Sequence, residues 1–155
     1  MTKIRGFEIC TAFEDKGINL PERSTKNSAG YDIEAAEDSI VPSIWNSAEK
    51  KPTFIKTGIK AYMAEDEVLY LYNRSSNPGK KGLVMANSVG VVDSDYYNNP
   101  DNEGHIMFAF YNFFPEDTVI KKGDRIGQGV FAKFLKADDD SANADRTGGF
   151  GSTDK

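Results

Sequence analysis

Val68-Leu69-Tyr70-Leu71-Tyr72 decides the fold class of this chain. Five apolar residues in a row, rich in aromatic and branched side chains and followed by a turn cluster at 73–79, read as a strand. Such a strand is apolar on both faces and needs cover on both. In so small a protein, one cover can be a neighbouring subunit. Ile106, Phe108 and Phe110 set against Met107, Ala109 and Tyr111 repeat the pattern. A third strand region spans 125–135, with Ile126, Val130 and Phe134 in phase. Further turn clusters lie at 93–104 and 121–124. Short strands between frequent turns predict an all-β sandwich or jelly roll. The best helix candidate is a single turn near 64–67, and no internal repeat is present.

A chain of 155 residues fits one domain. At this size roughly two-thirds of the unfolded surface is buried, so a core needs no disulfide or structural metal. Lys and Arg total 19 against 24 Asp and Glu, a net charge of −5. This balance argues against a nucleic-acid polymer as partner, since polyanion binding relies on excess cations. It leaves room for a small phosphorylated ligand held by a few placed groups. The single cysteine, Cys10, excludes an internal disulfide and a multi-cysteine metal site, reads as a small core residue, and fits a reducing compartment. The longest uncharged stretch, 104–115, is too short to span a membrane, and the N-terminal residues lack the apolar core of a signal peptide. The expectation is a cytoplasmic protein with no membrane partner.

The composition changes at residue 137. The core is expected over 1–136, and 137–155 is expected as a flexible C-terminal arm, unordered without ligand. It holds Asp138, Asp139 and Asp140, small polar residues, three glycines and one bulky apolar residue, Phe150. Such a segment buries too little to order itself. Yet glycines let backbone amides approach an anion, and a lone aromatic can stack on a base.

Five short segments stand out in order: Ala29-Gly30-Tyr31-Asp32-Ile33, Arg74-Ser75-Ser76, Gly90-Val91-Val92-Asp93-Ser94-Asp95-Tyr96, Gly123-Asp124-Arg125-Ile126-Gly127-Gln128, and Arg146-Thr147-Gly148-Gly149-Phe150-Gly151-Ser152-Thr153. Singly, each has a plain reading as a turn or strand end. Together they resemble the five motifs of the trimeric dUTPase family, over residues 29–153. The resemblance implies a jelly-roll-like homotrimer with shared active sites. It implies Mg²⁺-dependent hydrolysis of dUTP to dUMP and pyrophosphate, which limits uracil incorporation into DNA and supplies dUMP.

By the same resemblance, Asp93 orients and deprotonates the water that attacks the α-phosphate. Tyr96 packs under the deoxyribose, while Asp95 serves the turn. Uracil is read by a β-hairpin, 86–96 and onward, with Asn87, Val91, Val92 and Met107 as contacts. Arg74, Ser75 and Ser76 meet the triphosphate, with Gln128 on the opposite wall. Arg146 reaches the γ-phosphate, Phe150 stacks on uracil, and the amides near Gly151 and Ser152 line the phosphates. Mg²⁺ rides on phosphate oxygens with no direct protein ligand, Asp32 touching it through water. Asp32 and Asp124 carry an equal reading as turn formers or partners of Arg125. His105 is given no role.

The chain departs from the family pattern in several places. Motif two usually reads Pro-Arg-Ser-Gly, and Ser76 stands where the glycine would be. Residues 97–103 intervene after Tyr96, where a short Arg-Gly turn is usual. Gly127 and Gly129 replace Ala and Leu. Arg146 lies four residues before Phe150, one fewer than common, shortening its reach by about 3.5 Å. Asp154 replaces a glycine and adds negative charge. Two alternatives stay open: a dCTP deaminase on the same fold, and a dUTPase-fold protein with an added regulatory role. The first needs a glutamate near the strand after motif four, where the chain reads Gln128-Gly129-Val130-Phe131. For the second, 41–52 and 97–103 are candidate surfaces for a protein partner. Trp45, in the first of them, is expected as a core or edge aromatic.

Overall fold

Apolar runs between turn clusters become short antiparallel strands in the computed structural model of the chain, which describes residues 2–153. Met1, Asp154 and Lys155 lie outside the described residues. The first strands are β1 (Gly6–Ile9), β2 (Glu22–Arg23), β3 (Tyr31–Glu34) and β4 (Ser39–Val41). There follow β5 (Thr53–Lys56), β6 (Ile59–Tyr62) and β7 (Glu67–Asn73). A five-residue helix, α1 (Asn77–Lys81), leads into β8 (Leu83–Met85) and β9 (Gly90–Asp93). The last strands are β10 (Met107–Asn112), β11 (Thr118–Ile120) and β12 (Arg125–Lys133).

The largest sheet has the order β2-β3-β12-β7-β9, and a second has the order β5-β10-β8. Two further pairs, β1-β6 and β4-β11, complete a mainly β, jelly-roll-like architecture. Phe108 and Phe110 of β10, both fully buried and stacked at 6.0 Å, fill the centre with Ile33, Ile55, Leu69 and Ile126. Cys10 is also buried, as expected, and burial followed by the nearby Glu103 charge pushes its thiol up to about 11. Among the described residues, no helix is long and apolar enough to cross a membrane.

The two-sided strand 68–72 is β7, paired on one side with β12 and on the other with β9. Val68, Leu69 and Leu71 are buried. Tyr70 and Tyr72 stand outward, with Val130 and Val91 as the cross-strand neighbours of Tyr70. Val91 is 61% exposed, so the outer face of this sheet is open in the single chain.

Several expectations are corrected. Residues 64–67 form no helical turn of their own. The N–H of Glu67 donates to Ala64 C=O (3.0 Å), and the Glu67 carboxylate accepts from Ala64 N–H, making a tight turn into β7. The helix instead forms inside the 73–79 turn cluster. Pro78 has no N–H to waste at its first turn, and Gly82 ends it at φ 69°. The 125–135 strand ends at Lys133, and a register shift between Arg125 and Gly127 breaks the expected phase. Ile126 and Gly127 are both buried, Val130 is half-buried, and Phe134 lies beyond the strand end, 37% exposed. Trp45, expected in the core or at an edge, takes the second place: it is 64% exposed, edge-on to Phe113, with its indole N–H on Phe113 C=O.

Residues 137–145 have no regular structure beyond one turn. Residues 146–153, expected as part of a flexible arm, are laid back against the body of the chain.

Candidate active site

β8 and β9 belong to different sheets. The stretch expected as a uracil-reading hairpin is therefore a bend that carries the chain from the β10 edge to the β7 edge. Gly90 makes the descent possible, since a Cβ there would stand 2.8 Å from Leu71 Cβ. Ser88 turns the corner at φ 56°. β9 ends on Asp93, and a 3₁₀ turn over Ser94–Tyr96 follows.

The bend, this turn and the start of β10 enclose a cavity of about 170 Å³. That is several times the volume of one water, about 30 Å³, and suits a group the size of a planar ring. Asn87, Val91, Val92, Asp93, Tyr96 and Met107 line it. From the arm, Arg146, Phe150 and Gly151 close it. Nine of the residues expected at the site thus meet in one pocket.

Arg146 is the electrostatic centre. Its Nη2 donates to Asp93 Oδ2 at 2.7 Å and its Nε to Asp95 Oδ1 at 2.8 Å. Nη1 reaches Ser152 Oγ at 3.2 Å, and the guanidinium lies 5.7 Å from the Tyr96 ring centre. The Arg146 side chain is 10% exposed, whereas both carboxylates are more than half exposed. Burial works against its charge, but the bond to Asp95 and the charges of Asp95 and Asp93 lift its pKa above the ordinary guanidinium value. Tyr96 is fixed through its hydroxyl, which donates to His105 C=O (2.9 Å) and accepts from Asn102 Nδ2 (2.9 Å). Burial raises the Tyr96 pKa, so the phenol is neutral. Phe150 stands edge-on to Phe54 at 5.5 Å.

Of the remaining expected residues, Ser152 stays with the arm at Arg146, and the others lie apart from this pocket within the chain. Arg74 follows β7 and its Nη1 donates to Arg125 C=O at 3.2 Å. Ser75 is exposed, and Ser76 precedes α1 at φ −82°, an ordinary right-handed conformation that needs no glycine. Gln128 lies over Gly30, where any Cβ would collide with its amide oxygen, and its Nε2 reaches Asn73 C=O at 3.4 Å. Asp32 stands 3.7 Å from Arg125 and lines a separate groove with Glu22 and Glu34. Asp124 accepts from Lys121 N–H, the turn-forming role weighed for it. Among the described residues, no three His, Cys, Asp or Glu side chains converge as a metal cage.

Sequence reasoning missed several participants. Asp95 holds Arg146 as well as sitting in the turn, and its place beside Asp93 was the available signal. Leu71 and Ile106 line the pocket from the core side. Asp101 and Asn102 meet the arm, and nothing local in the sequence marks them.

Comparison with known proteins gives the family. The dUTPase family model matches residues 16–154. The deoxyuridine 5'-triphosphate nucleotidohydrolase of Lactococcus lactis subsp. lactis (strain IL1403) is 58% identical over 154 residues, covering 97% of this chain and 98% of that protein. The crystal structure of dUTPase from Streptococcus mutans superposes with a TM-score of 0.78 at 48% identity, covering 86% of this chain and 98% of that one. A dUTPase from phage phi11 of S. aureus, described with a structural Mg(II) ion, is 19% identical with a TM-score of 0.69 over 92% of this chain and 98% of that one, a likeness of fold. With its third and fifth motifs meeting at one pocket and a family match over nearly its whole length, the chain belongs to the dUTPase family.

Proposed function

We propose that the chain hydrolyses dUTP to dUMP and pyrophosphate in a cytoplasmic setting, Asp93 orienting and deprotonating the water that attacks the α-phosphate. The observation that carries this reading is the meeting of Asp93, Tyr96, Asn87, Met107, Arg146 and Phe150 at one cavity. Hydrolysis at phosphorus needs an oriented water, a base and cover for the phosphate charge. Asp93 is half exposed, so water reaches it, and Arg146 stands beside it as the phosphate cover. An arginine fork donates two parallel bonds to a phosphate as readily as to a carboxylate. The triphosphate thus replaces the two carboxylates that hold Arg146 in the free chain.

Uracil is read along the bend 86–93 and at Met107, where backbone groups offer a donor and acceptors matched to its edge. Cytosine presents a donor where uracil presents an acceptor, and buried groups left unpaired discriminate strongly. Tyr96 under the deoxyribose leaves no space for a 2′-hydroxyl. Phe150 closes the base from the arm side, and the amides near Gly151 and Ser152 line the phosphates.

Arg74, Ser75, Ser76 and Gln128 complete the triphosphate site from neighbouring subunits of a homotrimer. The open face bearing Tyr70, Tyr72 and Val91 supports such an assembly. A monomer is then inactive. Mg²⁺ would be carried by the substrate's phosphate oxygens, with Asp32 reaching it through water. When bound it supplies charge neutralisation.

The test is pyrophosphate release from dUTP, dCTP, dTTP and UTP, with Asp93→Asn beside the wild type. Turnover of dUTP alone is expected, and the substitution should lower kcat by about 10²–10⁴-fold. Intact turnover in Asp93→Asn would remove the assigned base. Ammonia release from dCTP would replace the reading with a deaminase.

A further inference from the structure

We propose that Asp101 and Asn102, on the loop 97–103 inserted after Tyr96, are positioning residues that seat the glycine pair of the arm and so set Arg146 and Phe150 over the pocket. The effect on turnover rests on the dUTPase reading; the seating itself does not.

The loop is built as a rigid shelf. Asn99 is 5% exposed, and its Oδ1 accepts from the N–H groups of Asp101 (3.0 Å) and Asn102 (3.2 Å). Its Nδ2 donates to Tyr96 C=O and to Asn102 Oδ1, both at 2.8 Å. The far side of the loop is pinned to the body of the chain. Tyr97 donates its hydroxyl to Glu8, and Glu103 accepts from Thr11 and from Lys60. Asp101 and Asn102 are thereby held in place before the arm arrives.

The arm meets them through backbone. Gly149 N–H donates to Asp101 Oδ2 at 2.8 Å, a charge-assisted bond. Gly148 and Gly149 are both buried although they lie in a segment of low hydrophobicity. A Cβ on Gly148 would stand 2.5 Å from Asp101 Oδ2, and one on Gly149 would stand 3.0 Å from Asn102 Cγ. A side chain at either position would push the arm or the loop side chains aside. A turn follows, with Ser152 N–H on Gly149 C=O and Gly151 at φ 74°. From this seat Arg146 reaches Asp93 and Asp95, and Phe150 reaches the cavity. Asn102 also donates to the Tyr96 hydroxyl, so one side chain ties the arm's seat to the ring that lines the pocket.

Loss of one bond of this kind corresponds to roughly a ten-fold fall in the docking equilibrium constant. A smaller docked fraction raises the apparent binding constant in proportion. The test combines hydrogen exchange of a peptide covering 146–153 in the full ligand-free chain with steady-state kinetics on dUTP. For Asp101→Ala the arm should exchange about ten-fold faster. Exchange at Tyr97 and Asn98 and the melting temperature should stay as in the wild type. KM should rise by less, because a docked majority loses only part of its population, with kcat within about two-fold. Asp101→Asn, whose amide oxygen can accept the same N–H, should restore most of both. Gly148→Ala should reproduce the faster exchange from the other side of the contact. Unchanged arm exchange in Asp101→Ala would overturn the proposal. So would equal effects of Asp101→Ala and Asp101→Asn accompanied by a lower melting temperature, which mark a merely structural role. A wild-type chain that turns over no dUTP but shows the same exchange pattern refutes the function and leaves the seat standing.

Discussion

Gly127→Ala should destabilise this protein even though alanine is the residue the family pattern favours there. Gly127 follows the irregularity in β12 and pairs with Ile33 on one side and Asn73 on the other. An added Cβ would stand 2.6 Å from Phe108 Cζ and 3.0 Å from Cδ1, and closer still to Cε1. Carbon atoms prefer 3.5–4.0 Å, so the ring must retreat by roughly 1 Å. Phe108 has no free space to enter, being fully buried and stacked on the equally buried Phe110 at 6.0 Å. Overpacking of this kind costs about 1–3 kcal/mol. The measurement is urea unfolding at one fixed protein concentration, because the homotrimer proposed above would make apparent stability depend on concentration. With a slope of about 1–3 kcal/mol/M the midpoint should fall by roughly 1 M. Phe108→Leu removes the ring edge, so the double variant should be more stable than the sum of the two changes by about 1 kcal/mol or more. An unchanged midpoint in Gly127→Ala, or strict additivity in the double variant, would refute the reasoning.

Three further outcomes are expected. Removing residues 146–155 deletes Phe150 stacking, about 1–3 kcal/mol, and the charge-assisted bonds of Arg146, about 1.5–3 kcal/mol. The kcat/KM for dUTP should then fall by at least about 10²-fold, and near-normal turnover would sink the closing role of the arm. His105 Nε2 accepts from Gly58 N–H at 2.9 Å, which requires a neutral ring, and burial followed by the Lys56 charge lowers its pKa below 6.5. Its folded-state pKa lies below the unfolded one, so this stability is full above about pH 6.5 and is lost as pH falls through the folded value, by up to about 1.4 kcal/mol per pH unit. His105→Gln, which can still accept the bond, should flatten stability below pH 6.5 in urea titrations; an unchanged slope would show that the ring does not titrate there. Glu103→Gln leaves the Lys60 ammonium, only 8% exposed and 2.6 Å from the carboxylate, without its charge partner. A loss of about 1.5–3 kcal/mol is expected in the same assay, and no loss would show that the pair contributes nothing net.

What could be read from the sequence was whatever depends on near neighbours. The run 68–72 announces a strand because no helical periodicity competes with it, and its two apolar faces correspond to a core side at Leu69 and Leu71 and an open side at Tyr70 and Tyr72. Asp93, Tyr96 and Arg146 were legible because motif spacing fixes them along the chain. The pairing of β8 with β10 and of β9 with β7 was not legible, because partner choice is settled by contacts far apart in sequence. A local reading sees two short strands around a turn and expects a hairpin. Helix α1 was hidden for a related reason. Its residues Asn77, Pro78 and Gly79 are turn formers, and it is held by Asn77, whose side chain bonds Asn73 Oδ1 and Ile126 C=O. Asp101 is an exposed acid whose partner lies 48 residues away, so no local pattern marks it.

The arm shows why composition misjudges such segments. Low hydrophobicity means that 146–153 cannot order itself by burying side chains. It is placed instead by backbone and charge: one amide on Asp101, two buried glycines, and one arginine between two carboxylates. The net charge of −5 has the same local meaning. Beside the cavity the acidic excess consists of Asp93 and Asp95, and Arg146 answers both. A pocket that carries its own anions can hold its cation ready without a ligand. Under the proposed function, an incoming polyanion competes for Arg146, and winning that competition leaves Asp93 unpaired and able to accept a proton from water. On that reading, the contact that orders the free site is the one that substrate must break to activate it. That is why the same arginine belongs to the arm's resting contact with the chain and to the proposed chemistry.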